Sequence, residues 1–211
     1  MQLGLFPLNT IVFPLSAIPL HIFEERYKLL VNECWKTKSP FVINLSYNEK
    51  LYDIGCMVLI ADIMQKYEDG RMDILVVGTH RVKIQNFISG EKPYYLANVE
   101  ILSDIDNSID TEKLKNVVEM FNNITNKLKN PEIKPIIFEE LNQENPSFQI
   151  APKAGLTIEQ KQKLMEIRSE NERLNFLQKH LEVIDKIIDE AEIVNTIIKN
   201  DGYFNVPPQN L

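Results

Sequence analysis

The feature that most restricts the fold of this sequence is a pair of β-rich runs on either side of the dipeptide Asp69-Gly70. The runs extend from Cys56 to Tyr67 and from Arg71 to Gly78. Because Asp-Gly suits the positive φ angles of a type I′ turn, the runs predict a β-hairpin. Both faces of the second run are largely apolar, with Met72, Ile74 and Val76 on one face and Asp73, Leu75 and Val77 on the other. We therefore expect a closed or curled sheet that covers this strand on both sides.

The rest of the first half predicts further strands and one helix. Pro7, Pro14 and Pro19 divide the first twenty residues into short extended pieces, since each proline restricts its own φ and that of the preceding residue. Apolar residues recurring every three and four positions predict an amphipathic helix from Ile22 to about Cys34. Other β-rich runs are Phe41 to Leu45, Val82 to Phe87 and Tyr94 to Leu102. Antiparallel strands with one inserted helix predict a small β-barrel or sandwich over residues 1–108.

Residues 109–211 predict a bundle of helices. Asp110 or Thr111 caps a first helix that ends before Asn130-Pro131, and capping boxes at Thr157 and Ser169 predict two more helix starts. Gly202 is suited to end the last helix. This helix carries an apolar stripe that consists of Leu174, Leu177, Leu181, Ile184, Ile188, Ala191 and Ile198, with Asn195 as its one polar member. A seam inside the bundle and an intermolecular coiled coil both fit the stripe, and the short run favours the bundle. The expected fold class is α+β.

Charge and cysteine content narrow the possible functions. The net charge is −7, and neither half carries more Lys and Arg than Asp and Glu, which disfavours nucleic acid as a partner. Cys34 and Cys56 have no second cysteine or histidine pair at ligand spacing, so we expect reduced thiols and no metal or cofactor. The N-terminus lacks a basic segment before its apolar residues, and no apolar run reaches the roughly 18 residues of a membrane span. These observations predict a cytoplasmic protein without a membrane partner.

Few residues suggest catalysis. Ser16 and His21 are a nucleophile and a base close in sequence, and a small hydrolase built on them is one alternative. No third group orients them, Glu24 fits an ion pair with Arg26 or Lys28 as easily, and a buried or capping role for His21 is the simpler expectation. The seven glycines are too scattered for a phosphate-binding loop. We therefore predict that the chain is not an enzyme.

Apolar residues in loops are better candidates for function. Leu15 and Ile18 lie between two prolines, and Tyr94 and Tyr95 follow Pro93 at the start of a predicted strand. Exposed apolar loops on a β scaffold commonly hold extended segments of other proteins. We therefore expect these four residues to bind unfolded or partly folded polypeptide.

Short motifs recur in a fixed order along both halves of the sequence. In the first half they are Leu5-Phe6-Pro7-Leu8, Val12-Phe13-Pro14, Pro19-Leu20-His21-Ile22-Phe23-Glu24, Arg26-Tyr27, Ile54-Gly55, and Asp69-Gly70-Arg71 through Val76-Val77-Gly78 to Arg81. In the second half they are Leu156, Lys161-Gln162, Leu164-Met165-Glu166, Glu172-Arg173-Leu174 and Leu181. Together these motifs resemble the N-terminal domain of Lon ATP-dependent proteases, and the resemblance covers the chain from residue 3 to about residue 198.

The resemblance implies a β domain like that of pseudouridine synthases and archaeosine transglycosylases (PUA-like), followed by a helical bundle. In full-length Lon this region helps recognise substrate proteins, while ATP hydrolysis and Ser–Lys proteolysis lie in later domains. These 211 residues contain neither of those domains. A stand-alone, ATP-independent protein-binding module, accessory to protein quality control, is the expected function. An RNA-binding module is the alternative that a PUA-like fold suggests.

The resemblance also implies roles for individual residues. A structural role is expected for the motif residues Phe6, Pro7, Pro14, Pro19, His21, Phe23, Glu24, Arg26 and Tyr27. We expect Ile22, Phe23 and Tyr27 to anchor the first helix, and Glu24 and Arg26 to orient its start. The family often has glycine after the second Phe-Pro, where this chain has Leu15-Ser16. This departure predicts a differently shaped and more apolar loop.

Overall fold

Strands occupy the first half of the chain and helices the second, as the change in apolar periodicity predicts. The computed structural model describes residues 1–88, 90, 92–106 and 108–200, with side chains up to residue 193. The strands are β1 (Gln2–Leu8), β2 (Ala17–Ile22), β3 (Phe41–Tyr47), β4 (Lys50–Lys66), β5 (Met72–Ile88) and β6 (Tyr95–Ile101). The helices are α1 (Glu25–Thr37), α2 (Thr111–Leu128), α3 (Ser147–Ile150), α4 (Ile158–Glu166) and α5 (Glu170–Asn200). In these ranges no helix combines the length and apolarity needed to cross a membrane.

Five strands form a closed sheet in the order β5-β4-β3-β1-β6, because β6 pairs with β5 as well as with β1. Strand β2 lies outside this ring and pairs with β5 from Ala17↔Val77 to Ile22↔Met72. The predicted α+β fold with a closed sheet is confirmed. The expectation of purely antiparallel strands is wrong, since β1 and β3 run parallel. The intervening β2 and α1 provide the long crossover that parallel neighbours require.

The predicted hairpin is present and longer than its sequence signal. Gly70 has a φ of 81° and is the residue of the turn with positive φ, whereas a type I′ turn requires two such residues. The amide of Gly70 donates to Tyr67 O and the amide of Tyr67 donates to Arg71 O, which gives a three-residue loop rather than the predicted type I′ turn. Strand β5 also continues through Gly78, where a Cβ atom would lie 2.2 Å from Phe13 O. This glycine permits a close approach of two chain segments and does not end the strand.

Helix α1 begins at Glu25, three residues after its predicted start. Ile22 is the buried last residue of β2, and Phe23 is 60% exposed, so Phe23 does not anchor the helix as expected. Tyr27 does anchor it, with its ring stacked on Phe6 at 4.0 Å between centroids. Arg26 Nε donates to Glu24 Oε2 at 2.9 Å, which confirms the predicted ion pair at the start of the helix.

The helices of the second half pack on each other through the predicted stripe. Leu174, Leu177 and Leu181 on α5 are buried, while Ile184 and Ile188 are partly buried against the same core. Ala191 is exposed, and the side chains of Asn195 and Ile198 and all of Gly202 lie outside the described residues. The seam inside the bundle is therefore confirmed as far as Ile188. The capping of α2 by Asp110 and the capping box of α4 at Thr157 and Gln160 are also confirmed.

A buried charge cluster joins the closed sheet to α5. Arg81 on β5 and Arg173 on α5 both donate to the carboxylate of Asp104, which lies between β6 and α2. Arg173 Nη2 also donates to Glu170 Oε2 at 2.6 Å. The guanidinium groups lie over the ring of Phe148, at 5.3 Å for Arg81 and 4.5 Å for Arg173. Because two arginines face two carboxylates, the cluster connects the halves without a net buried charge.

Candidate functional site: an apolar cleft beside a strand edge

An apolar cleft lies where the end of α1 meets the outer edge of β4. Strand β3 begins at Phe41, which pairs with Val58, so from residue 59 onward the described part of β4 pairs with β5 alone. Lys38, with a φ of 53°, ends α1 in the left-handed conformation, and its amide donates to Cys34 O. After this cap the chain enters β3 at Phe41. A cavity lies between the last turn of α1 and residues 59–61 of β4.

The cleft has a volume of about 740 Å³. Its lining residues are Cys34, Trp35, Lys36, Lys38, Ser39, Leu59, Ile60 and Ala61. Trp35 is 43% exposed and Leu59 is 40% exposed. Exposed large apolar side chains that border a cavity of several hundred cubic ångströms are typical of a binding site. We call this feature the α1–β4 cleft.

The polar groups of the cleft do not suggest catalysis. The thiol of Cys34 is buried, and burial raises its pKa, so it is neutral and unreactive near neutral pH. Lys36 and Lys38 supply positive charge, and no Asp or Glu is found among the described lining residues. Throughout the described ranges, no group of three or more His, Cys, Asp and Glu side chains is placed to hold a metal ion. The described lining of the cleft therefore combines apolar surface with two positive charges.

The four residues predicted to bind polypeptide lie outside the cleft and do not form one surface. Leu15 is 46% exposed in its loop, and Ile18 is half-buried on β2 opposite Val76. Tyr95 is 51% exposed. Tyr94 is buried, and its hydroxyl donates to Glu33 Oε2 at 2.5 Å, so the expectation that Tyr94 offers exposed apolar surface is wrong. Tyr94 therefore belongs to the core, and Tyr95, the first residue of β6, is exposed beside it.

Ser16 and His21 are not placed to act together. Ser16 Oγ donates to Phe13 O at 2.6 Å, whereas His21 Nδ1 lies 2.5 Å from Asp73 Oδ1. Four residues of extended chain lie between them, which places their Cα atoms roughly 16 Å apart. His21 is exposed, contrary to the expected buried or capping role, and Tyr67 donates to the second oxygen of Asp73 at 2.8 Å. Hydrogen bonds from His21 and then Tyr67 lower the pKa of Asp73.

The motif residues fall into a buried group and an exposed group. Phe6, Pro14 and Tyr27 are buried, and Pro7 is half-buried. Pro19, His21 and Phe23 are exposed on or just after β2, which is an outer strand of the sheet where proline is tolerated. Arg26 lies over the Tyr27 ring at 4.6 Å while paired with Glu24.

The sequence patterns did not reveal the α1–β4 cleft. Trp35 and Leu59 are far apart along the chain, and Leu59 belongs to a run that reads as an ordinary strand. One local signal existed, because Trp35 is the single tryptophan of the chain and falls outside the apolar stripe predicted for α1. A large aromatic side chain on the polar face of a helix indicates a contact outside the helix's own core.

Comparison with known proteins identifies the family to which this chain belongs. Residues 2–183 match the family described as the ATP-dependent protease La (LON) substrate-binding domain. Relatives include the Lon protease of Buchnera aphidicola subsp. Baizongia pistaciae, 25% identical over 213 aligned residues that cover 94% of this chain and 27% of that protein. The Lon protease of Trichlorobacter lovleyi is 27% identical over 187 residues, covering 82% of this chain and 22% of that protein. This chain spans about a quarter of the length of these curated relatives.

Two solved structures share the fold. One is a Lon N-terminal domain protein from Xanthomonas campestris, with a TM-score of 0.64, 22% identity, and coverage of 84% of this chain and 96% of that one. The other is the N-terminal domain of Mycobacterium avium complex Lon protease, with a TM-score of 0.67, 15% identity, and coverage of 86% and 98%. The fold and the matched residues agree with the motif resemblance, and the chain belongs to the Lon protease (protease La) substrate-binding domain family.

Proposed function

We propose that this chain is a non-enzymatic module that binds exposed apolar segments of other proteins, and that the α1–β4 cleft is its contact site. The observation that carries this proposal is the exposure of Trp35 on α1 and Leu59 on β4, both of which line a cavity of about 740 Å³. Membership of a substrate-binding domain family supports a role in polypeptide recognition. An accessory role in protein quality control follows from that recognition and is part of the proposal.

The open edge of β4 supports the same function. An extended segment beside residues 59–61 would meet backbone groups that β3 does not cover and would bury its apolar side chains against Trp35 and Leu59. Register shifts between Ile60 and Asp62 and between Ile63 and Gln65 interrupt β4 just beyond this point. Because such irregularities limit long strand pairing, the contact should be short.

The single tryptophan makes a direct test possible. We expect Trp35 fluorescence to change when a reduced and alkylated model protein is added, and to stay constant when its native form is added. The variant Leu59→Asp should weaken binding by roughly tenfold, because it places a charge against the apolar lining. Ile137→Asp is the matched control, since Ile137 is 52% exposed and does not line the cleft.

One further variant, Leu15→Asp, compares the cleft with the loop that the sequence pointed to. If Leu15→Asp weakens binding as much as Leu59→Asp, the loop of Leu15 and Ile18 is a second contact. If neither variant changes binding of the unfolded protein, or if the protein does not bind at all, the proposed function is wrong. Circular dichroism of each variant establishes that it is folded.

A further inference from the structure

Two lysines at the rim of the α1–β4 cleft have charges that the described residues do not neutralise. Lys36 lies in the last turn of α1 and Lys38 is its C-cap, and both line the cavity. Other lysines around α1 are paired, since Lys28 Nζ lies 2.8 Å from Glu25 Oε1 and Lys92 Nζ lies 2.6 Å from Glu33 Oε1. Within the described part of the chain, neither Lys36 nor Lys38 has a salt-bridge partner. The positive charge at the cleft is therefore available to a ligand.

The position of Lys38 follows from the end of α1. Its φ of 53° is that of an ordinary left-handed helix cap, and Lys129 ends α2 in the same way with a φ of 51°. What distinguishes Lys38 from Lys129 is that Lys38 lines the cavity, next to the apolar surface of Trp35 and Leu59.

The net negative charge of the molecule makes Lys36 and Lys38 stand out as a place where a negatively charged ligand can bind. The chain has a net charge of −7, so its overall electrostatic field disfavours the approach of an acidic peptide. At the cleft, two cations border apolar surface and the described lining contains no carboxylate. A ligand that is apolar and carries a carboxylate matches both properties, whereas an apolar ligand alone matches one of them.

We infer that the α1–β4 cleft selects polypeptide segments in which an apolar side chain is followed within one or two residues by a carboxylate. This inference rests on the proposed function and names the class of segment bound at the same cleft. An extended chain rises about 3.3 Å per residue, so a carboxylate at that spacing reaches the rim while the apolar side chain occupies the cavity. Most apolar segments of an unfolded protein are internal to the chain, so the carboxylate is that of an Asp or Glu side chain.

Four acetylated peptides that share a Leu-Phe pair separate a side-chain carboxylate from a chain terminus. The first is an amide with Glu after Leu-Phe, and the second replaces that Glu with Gln. The third ends in a free carboxylate after Leu-Phe, and the fourth is the same peptide with a C-terminal amide. With Trp35 fluorescence as the readout, we expect the Glu peptide to bind about fivefold more tightly than the Gln peptide. A preference for the free acid without a preference for Glu over Gln would assign the selection to chain termini and overturn the inference.

Variants of the rim lysines have a matched control at the end of α2. Lys129 is also a lysine at a helix C-cap in the left-handed conformation, with a φ of 51°, and it does not line the cleft. Both Lys38→Gly and Lys129→Gly place glycine where the backbone favours it, so neither should unfold the protein. We expect Lys38→Gly and Lys36→Gln to remove the preference for carboxylate peptides, and Lys129→Gly to retain it.

The result separates this inference from the proposed function. If acid and amide peptides bind wild-type protein equally, and Leu59→Asp weakens both, the cleft binds apolar segments but the carboxylate selection is wrong. The selection is also wrong if the preference for carboxylate peptides persists in both rim variants. If neither the peptides nor an unfolded protein changes Trp35 fluorescence, the proposed function fails and the inference with it.

Discussion

Arg173 donates from Nη2 to Asp104 Oδ2 at 2.6 Å and from Nη1 to Asp104 Oδ1 at 2.8 Å, which ties α5 to the segment that follows β6. Asp104 also accepts from Arg81 on β5, so one carboxylate serves two buried guanidinium groups. The side chains of both arginines are at most 4% exposed. The relative position of the closed sheet and the helices therefore depends strongly on this residue.

Replacing Asp104 should be severely destabilising. In Asp104→Ala the two buried arginines lose their shared carboxylate, and removal of one partner from a buried charge cluster commonly costs about 3–5 kcal/mol in the free energy of unfolding. Urea unfolding followed by circular dichroism measures this loss. Asp106→Ala is the control, because Asp106 is exposed and binds the nearby Ser108, so its loss should cost at most about 1 kcal/mol. Similar losses for the two variants would contradict a central role for Asp104.

The same residue predicts how stability responds to acid. Burial alone would raise the pKa of Asp104, but hydrogen bonds and charge from Arg173 and Arg81 hold that pKa below its ordinary value of 3.8. Because the folded state favours the ionised carboxylate, this contribution to stability is complete above the ordinary pKa and is lost as the pH falls through the lowered one.

Urea midpoints measured from neutral to strongly acidic pH test this expectation. The free energy of unfolding of the wild type should decline below about pH 4, and Asp104→Asn should decline less steeply over the same range. Parallel pH profiles for the two proteins would show that Asp104 does not contribute to the acid sensitivity. The comparison uses slopes, so the lower overall stability of the variant does not affect it.

The Leu15→Gly variant should be a more stable protein than the Leu15→Ala variant. Its φ of 67° lies in the left-handed region, and the loop is held there because the amide of Leu15 donates to Gly78 O at 2.9 Å. A left-handed residue with a Cβ atom costs about 1 kcal/mol more than glycine. We therefore expect Leu15→Gly to unfold at a higher temperature than Leu15→Ala. The opposite order would show that the loop relaxes to another conformation.

The neighbouring residues Tyr94 and Tyr95 should respond differently to loss of their hydroxyl groups. Tyr94 is buried and donates to Glu33, so Tyr94→Phe should lower the free energy of unfolding by about 1 kcal/mol. Tyr95 is exposed, and among the described residues its hydroxyl has no hydrogen-bond partner, so Tyr95→Phe should have no measurable effect. Thermal unfolding of the two variants provides the comparison. Equal stability of Tyr94→Phe and the wild type would show that the bond to Glu33 is not stabilising.

Features that depend on adjacent residues were predictable from the sequence. The Asp110 cap, the capping box at Thr157 and Gln160, and the hairpin around Gly70 each involve groups a few positions apart. Details that depend on distant chain segments were not predictable. The parallel pairing of β1 and β3, and the continuation of β5 through Gly78, follow from which strands become neighbours in the closed sheet.

The exposure of individual side chains was likewise predictable only where it depends on residues nearby in the sequence. The sequence indicated correctly that Tyr27 is part of a core face, because its spacing in α1 places it on the apolar stripe. It did not indicate that Phe23 is exposed or that Tyr94 is buried. Phe23 lies between β2 and α1, and Tyr94 lies just before β6, where no periodic pattern assigns a direction to the side chain.

The sequence by itself determined the fold class, the family, and the absence of a phosphate-binding loop from these 211 residues. It also determined both ends of α2 and the start of α4, because caps and periodicity act over a few residues. Only the tertiary structure decided the candidate site. Trp35 and Leu59 come together because β3 begins at Phe41 and leaves the next part of β4 uncovered, and that arrangement arises from strand pairing between segments distant in the chain.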